Sequence, residues 1–239
     1  MLFVKTLNSW VRQIAIVPFL ALGLLILGVG FGSGLLQPTV KVVPEPAMDP
    51  SPATNPAQVS QRAVFSGGCF WGMEAIFEEV RGVKSVQTGY SGGDRRTATY
   101  TAVSSGTTNH AEAIEIVYDP QQISYGQLLK IFFAVGHDPT QVNRQGVDVG
   151  RQYRSAIFAD TAEQKQVAQN YIAQLQSAQV FSQPIVTEVN SLESFYPAED
   201  YHQDFVQNHP AHPYVLVHDL PKLQRFRQAF AEFLKPRDS

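Results

Sequence analysis

Hydrophobic positions after residue 62 change from a strand-like run to a helix-like spacing. Residues 63–65 are continuously apolar and lead into a pair of glycines, which allow a tight turn. Beyond the turn, apolar side chains recur between Met73 and Val80 at the i, i+3, i+4 and i+7 positions of one helix face. The pattern predicts a strand, a turn and a helix, with Cys69 at or near the helix N-terminus.

The later apolar runs predict that strands alternate with helices. Alternation over residues 111–118 indicates a strand that is covered on both faces, and Ser124 is a suitable N-cap for the next helix. Further strands are predicted at 83–90, 100–103, 153–158 and 185–189, and helices at 125–135, 161–177, 199–208 and 220–234. A loop over 136–150 has the length that often carries function. The expected fold class is α/β or an α+β sandwich: a single compact domain with a mixed central sheet flanked by helices.

An apolar run without charge occupies residues 14–36, and Lys5 and Arg12 precede it. Its 23 residues are enough to cross a bilayer as a helix, and the basic residues before it predict a cytoplasmic N-terminus. We therefore expect an uncleaved signal-anchor that contacts the membrane. A cleaved signal peptide is the alternative, because glycines and Pro18 weaken the helix.

Three segments follow from this pattern. Residues 1–36 form the signal-anchor or signal peptide, 37–61 form a linker with six prolines, and 62–239 form the globular domain. We expect the domain on the extracytoplasmic side, periplasmic or lumenal, or secreted if the signal is cleaved. The net charge of −3 and the absence of a basic run argue against nucleic acid as a partner.

Cys69 is the only cysteine in the 239 residues. A single cysteine excludes an intramolecular disulfide and a multi-cysteine zinc site. At a helix start, unpaired N–H groups and the helix dipole favour a thiolate, so we expect a lowered thiol pKa and a reactive nucleophile. A small buried hydrophobic side chain is the equally weighted alternative.

Six histidines leave a Cys–His hydrolase and a metal site as alternatives. The spacing of His202, His209 and His212 does not match a standard metal site, so no metal is expected. Glu112 lies among apolar residues of a predicted interior strand, where burial raises a carboxyl pKa, although a salt-bridged structural role fits the pattern as well. Tyr100 and Tyr153 lie at predicted strand ends, where tyrosines are usually core residues with a polar tip.

Several motifs, in order, resemble the peptide methionine sulfoxide reductase A family. The first is GCFWG at residues 68–72, and GYSGG follows at 89–93. Further matching segments lie at 100–112, 117–120, 132–140, 144–155 and 195–203. The resemblance extends from about residue 63 to residue 210. A single five-residue match would be modest support, whereas this ordered set over most of the domain is specific.

The resemblance implies reduction of the S epimer of methionine sulfoxide to methionine, without a metal or organic cofactor. By position, Cys69 matches the nucleophile and Glu112 the acid that protonates the sulfoxide oxygen. Further matches are Tyr100 and Tyr153 as the hydroxyls that hold this oxygen, Asp148 as an acid that places substrate and reductant, and Phe70 and Trp71 as walls of the methyl pocket.

The chain departs from many family members because no further cysteine follows Cys69. We therefore expect a Cys69 sulfenic acid that an external thiol reduces: thioredoxin, glutaredoxin, glutathione or a dedicated partner. The expected substrates are proteins, peptides or free amino acid bearing methionine sulfoxide, and we expect a monomer. A binding module that grips such peptides without turnover is the alternative from another class; the presence of Cys69 and Glu112 argues against it.

Overall fold

A six-stranded mixed sheet is the framework of the computed structural model, which describes residues 40–49 and 60–236. Its strands are β1 (Gln61–Gly67), β2 (Val83–Ser91), β3 (Ala111–Tyr118), β6 (Ser155–Ala159), β7 (Glu188–Ser191) and β8 (Phe195–Pro197), in the order β7-β6-β1-β3-β2-β8. Only β6 and β7 pair in parallel. A separate short hairpin consists of β4 (Arg144–Gln145) and β5 (Asp148–Val149) and lies in the predicted functional loop.

Six α-helices accompany the sheet in the described part of the chain: α1 (Phe70–Glu78), α2 (Tyr100–Ser104), α3 (Tyr125–Ile131), α4 (Ala162–Ser177), α5 (Phe205–Asn208) and α6 (Leu220–Ala229). Helix α3 begins with the capping box of Ser124 and Gln127 and continues into a π-helical turn, Phe132–Gly136. The predicted combination of a mixed sheet and flanking helices in one domain is confirmed.

The two faces of the sheet differ in what covers them. On β3, Ile114 and Ile116 point into the main core, where they pack with apolar side chains of α1, α3, α4 and α6. The alternate residues Ala111 and Ala113 face a smaller apolar cluster that includes Phe158. Both faces of β3 are therefore buried, as its alternation predicts. Glu112 shares the main-core face of β3, because side chains two residues apart point the same way.

Several predicted elements differ from the structure. The predicted strand at 185–189 is β7, which begins only at Glu188, and the predicted helix at 199–208 is a 3₁₀ turn, Asp200–His202, followed by α5. Tyr100 opens helix α2 instead of an extended stretch, because Thr99 is its N-cap and accepts from the amide of Ala102. Tyr153 lies in a 3₁₀ turn, Arg151–Tyr153, ahead of β6. The C-terminal helix ends at Ala229, and a 3₁₀ turn follows it.

Residues 40–49, part of the predicted linker, pack along α3 and α4. Val43 is buried, and the Tyr171 hydroxyl donates to the Pro44 carbonyl at 2.8 Å. The amide of Ala47 donates to the Gln174 side chain at 2.9 Å. The predicted membrane segment lies outside the described residues, and within 40–49 and 60–236 no helix is long and apolar enough to cross a bilayer.

Candidate active site

Cys69 lies between the end of β1 and the first residue of α1, as the sequence predicts. It is the N-cap residue of α1 with φ −56° and ψ 128°, and its side chain is partly buried. Gly68 makes the turn with φ +94°, a conformation that L-residues rarely adopt. A Cβ at this position would lie 2.6 Å from Cγ of Gln145. The turn therefore requires glycine for its backbone and for the space beside it.

We expect Gly68→Ala to destabilise the domain by more than about 1 kcal/mol, because alanine is strained at positive φ and its Cβ would displace Gln145. Thermal unfolding measures the effect. Gly146→Ala is the matched control, since Gly146 also has positive φ (+60°) but nothing within 4 Å of its added Cβ. Equal losses in the two variants would show that the contact with Gln145 contributes nothing.

Glu112 reaches the start of α1 from β3. Its Oε2 accepts the backbone N–H of Phe70 at 3.3 Å, so it satisfies one of the free amides at the helix N-terminus. The side chain is only 2% exposed. Burial raises the pKa of Glu112 to about 8, and the charge of Asp148 adds to the rise. At neutral pH the residue is therefore a protonated acid, and it forms no salt bridge with a residue of 40–49 or 60–236.

Tyr100 opens helix α2 and Tyr153 ends the 3₁₀ turn ahead of β6. Burial raises the pKa of both phenols, and the charges of Glu112, Cys69 and Asp148 contribute to the rise in each case. The same three groups therefore influence both phenols electrostatically. Both phenols keep their protons throughout the neutral range and remain hydrogen-bond donors.

Glu199 holds the start of helix α2, where Tyr100 lies. One of its oxygens accepts the Tyr100 amide at 2.9 Å and the other accepts the Tyr90 hydroxyl at 2.9 Å. The ring of Tyr100 lies 4.5 Å from the ring of His202, centroid to centroid. Glu199 thus links the first residue of α2 to the sheet.

Phe70 and Trp71 surround the thiol with aromatic surface. Phe70 is buried, and its ring lies 5.1 Å from that of His202. Trp71 stacks on Phe205 at 3.6 Å and donates its indole N–H to Nδ1 of His202 at 3.2 Å. Trp71 is only partly buried, so it supplies the more accessible wall of the pair.

Asp148 enters the site from β5 and is held by a residue that sequence reasoning missed. The Tyr214 hydroxyl donates a hydrogen bond to Oδ2 of Asp148. The Tyr214 ring also meets Trp71 edge-on at 5.9 Å. Tyr214 follows a proline-rich stretch without apolar periodicity, so no sequence signal marked it.

The predicted lowering of the Cys69 pKa is wrong. Burial raises the pKa of the thiol well above its ordinary value, and Glu112, Asp219 and Asp148 add to the rise. A hydrogen bond from the Trp71 amide opposes it, which is the expected effect of a helix start. The loss of hydration raises the thiol pKa more than this one hydrogen bond lowers it. Because Glu112 is protonated at neutral pH, its repulsion of a thiolate is absent there.

Asp219 is a second buried acid near the thiol. It is 1% exposed, and its Oδ2 has no hydrogen-bond partner in the described residues. A Cβ on Gly72 would lie 2.4 Å from its Oδ1, so the acid packs directly against α1. Burial raises the pKa of Asp219 to about 6.

The histidine alternatives find no support in the geometry. None of the six histidines, all of which lie in the described residues, hydrogen bonds with Cys69. His137 bonds to Ser155 at 2.6 Å and to the Phe132 carbonyl at 3.2 Å, and burial lowers its pKa to about 3. His202, His209 and His212 do not bring their ring nitrogens together.

Within 40–49 and 60–236, one group of acids has ligand atoms within 4.8 Å of one another: Glu74, Glu78 and Asp204. Glu74 accepts from the amides of Asp204 and Phe205, and Glu78 bonds to the Asp204 side chain. Burial raises the pKa of Glu74 to about 8 and of Glu78 to about 7. Hydrogen bonds to the backbone and between Glu78 and Asp204 hold this cluster together.

A thiol next to a neutral acid and two phenols defines a thiol oxidoreductase site. The chain belongs to the peptide methionine sulfoxide reductase family, because the family model of that description matches residues 61–234. It is 68% identical over 209 residues to "Peptide methionine sulfoxide reductase MsrA 2" of a Synechocystis species, covering 87% of this chain and 98% of that one. It is 46% identical to the MsrA of Deinococcus radiodurans, covering 77% and 89% respectively.

Solved structures agree. Methionine sulfoxide reductase A of Corynebacterium diphtheriae matches with a TM-score of 0.56 and 34% identity, over 73% of this chain and 89% of that one. Reduced Mxr1 from Saccharomyces cerevisiae matches with a TM-score of 0.60 and 29% identity, over 66% and 90%. The protein is a peptide-methionine (S)-S-oxide reductase, and it reduces methionine sulfoxide to methionine in a thiol-dependent reaction of protein repair.

Proposed function

We propose that Cys69 is the nucleophile of this reaction and Glu112 its acid. The observation that carries the assignment is the position of Glu112: a buried, protonated carboxyl that bonds to the first amide of α1, next to Cys69. A sulfoxide oxygen leaves poorly until it is protonated, and a positioned neutral acid supplies that proton. Tyr100 and Tyr153 hold the oxygen by hydrogen bonds as charge develops. Phe70 and Trp71 enclose the methyl group, and Asp148 places the substrate.

The reductive step balances without any cofactor. Sγ of Cys69 attacks the sulfoxide sulfur while Glu112 protonates the oxygen. Oxygen then passes to Sγ, so the substrate sulfur gains the two electrons that the cysteine loses. The thiol contributes its own proton, and Glu112 recovers the one it lent. The products are methionine and a Cys69 sulfenic acid.

An external thiol must reset the sulfenic acid, because the 239 residues contain no second cysteine. Thioredoxin, glutaredoxin and small thiols are the candidate reductants. We also propose that the domain acts as a monomer. The signal-anchor over 1–36 would place the domain outside the cytoplasm, and cell fractionation with N-terminal sequencing of the mature protein tests this.

A single turnover without reductant tests the one-cysteine cycle. We expect mass spectrometry to find one added oxygen on Cys69 and one methionine released per protein. Trapping with a sulfenic acid reagent such as dimedone identifies the oxidised atom. Dimers joined through Cys69 in place of the added oxygen would contradict the proposed cycle.

A further inference from the structure

A cleft of about 320 Å³ lies beside the turn that carries Cys69. Two of its wall residues press on that turn: a Cβ on Gly67 would lie 2.8 Å from Cγ of His137, and one on Gly68 would lie 2.6 Å from Cγ of Gln145. The cleft and the catalytic turn thus share a wall. A cavity of this size suits a small ligand better than a protein segment.

Three cations line the cleft: Lys41, Lys222 and Arg225. None of them forms an ion pair within 4.0 Å with a residue that the structure describes, whereas several other basic residues do. Lys41 lies over the ring of Phe181, 5.9 Å from its centroid. The cleft therefore presents positive charge that the protein leaves without a directly bonded anion.

One acid among the residues that line the cleft offsets part of this charge, and the three cations outnumber it. This acid is Asp138, whose carboxylate accepts from the Thr140 amide at 3.0 Å and hydroxyl at 2.7 Å and from the Gln141 side chain at 3.0 Å. Asp219 attracts Lys222 without forming an ion pair. Lys222 also interacts electrostatically with Cys69.

We propose that this cleft binds the carboxylates of a small thiol reductant of the glutathione type, which resets the Cys69 sulfenic acid. The proposal rests on the proposed function. Carboxylates are the natural partners of lysine and arginine side chains. One thiol attacks Sγ of the sulfenic acid and releases water, which leaves a mixed disulfide. A second thiol attacks the reductant's sulfur in that disulfide and releases the oxidised reductant and the Cys69 thiol. Two thiols are oxidised and one sulfenic sulfur is reduced.

The test compares reset by glutathione, by its diethyl ester, in which both carboxylates are capped, and by dithiothreitol in the full chain. In Lys41→Gln/Arg225→Gln we expect kcat/KM for glutathione to fall about tenfold to a hundredfold, the loss expected for hydrogen bonds to charged groups. Rates with dithiothreitol and with the ester should not change. Arg227→Gln is the matched control, because Arg227 lies on the same helix but pairs with Glu79 and does not line the cleft.

Single-turnover sulfoxide reduction without reductant separates this proposal from the proposed function. The rate of this single turnover should be equal in wild type and variants. If the wild type shows no single turnover, the proposed function itself fails. An equal loss with glutathione and dithiothreitol would overturn the carboxylate site. The carboxylate site would also be overturned if the double variant slows reset by a thioredoxin-like protein but not by glutathione. Lys41→Gln and Arg225→Gln singly repeat the comparison if the double variant does not fold.

Discussion

We expect Cys69→Ser to abolish methionine sulfoxide reduction with every reductant. The serine hydroxyl fits the N-cap position, where serine is among the preferred residues, so helix α1 should keep its start. Its oxygen, however, cannot take up the sulfoxide oxygen as a sulfenic acid does. A turnover assay with a sulfoxide peptide and dithiothreitol measures the effect.

The control for this variant is binding. Phe70 and Trp71 remain in Cys69→Ser, so the affinity for a sulfoxide peptide should stay within a few-fold of wild type, measured by calorimetry. Residual turnover above the uncatalysed rate, with folding intact, would remove Cys69 from the role of nucleophile. Because no other cysteine exists in the sequence, no neighbouring thiol can substitute.

The second large effect is expected for Glu112→Gln. Glutamine keeps an oxygen that can accept the Phe70 amide but has no acidic proton, so the single-turnover rate should fall about 10²- to 10⁴-fold, the usual contribution of a positioned acid. Peptide affinity should change little. Stopped-flow measurement under single-turnover conditions separates the chemical step from reset.

Glu115→Gln is the matched control for that variant. Glu115 lies on the same strand and pairs with Arg62 at 3.2 Å, away from the thiol. Infrared spectroscopy provides an independent readout: the protonated carboxyl absorption of wild type at pH 7 should be weaker in Glu112→Gln by the contribution of Glu112, while the absorption of Glu74 and Glu78 remains. A wild-type single-turnover rate in Glu112→Gln would contradict the role of acid.

The sequence predicts those parts of the site that follow a periodic pattern. Helix α1 and strand β3 have continuous patterns, so the positions of Cys69 and Glu112 follow from them. The sequence predicts a short strand from Tyr100, whereas the cap by Thr99 starts a helix there. Such a choice rests on one hydrogen bond, which a short pattern does not reveal.

Other features depend on contacts between distant segments. The local sequence around the helix start predicts a lowered pKa for Cys69. The burial that raises this pKa comes from segments that only the fold brings together. Tyr214 meets Asp148 from 66 residues away. Neither the loss of water nor that hydrogen bond leaves a periodic mark in the sequence.

The buried carboxyls around α1 make the stability of the domain fall as the pH rises. Glu112 and Glu74 have a pKa of about 8, Glu78 about 7 and Asp219 about 6, in each case chiefly through burial. In the unfolded chain these groups ionise near their ordinary values of about 4. These groups therefore stabilise the folded state fully below about pH 4. Their contribution to the free energy of unfolding is lost as the pH rises through their folded pKa values of about 6 to 8. The same burial that keeps an acid ready beside Cys69 therefore makes these carboxyls stabilise the fold less at neutral pH than at about pH 4.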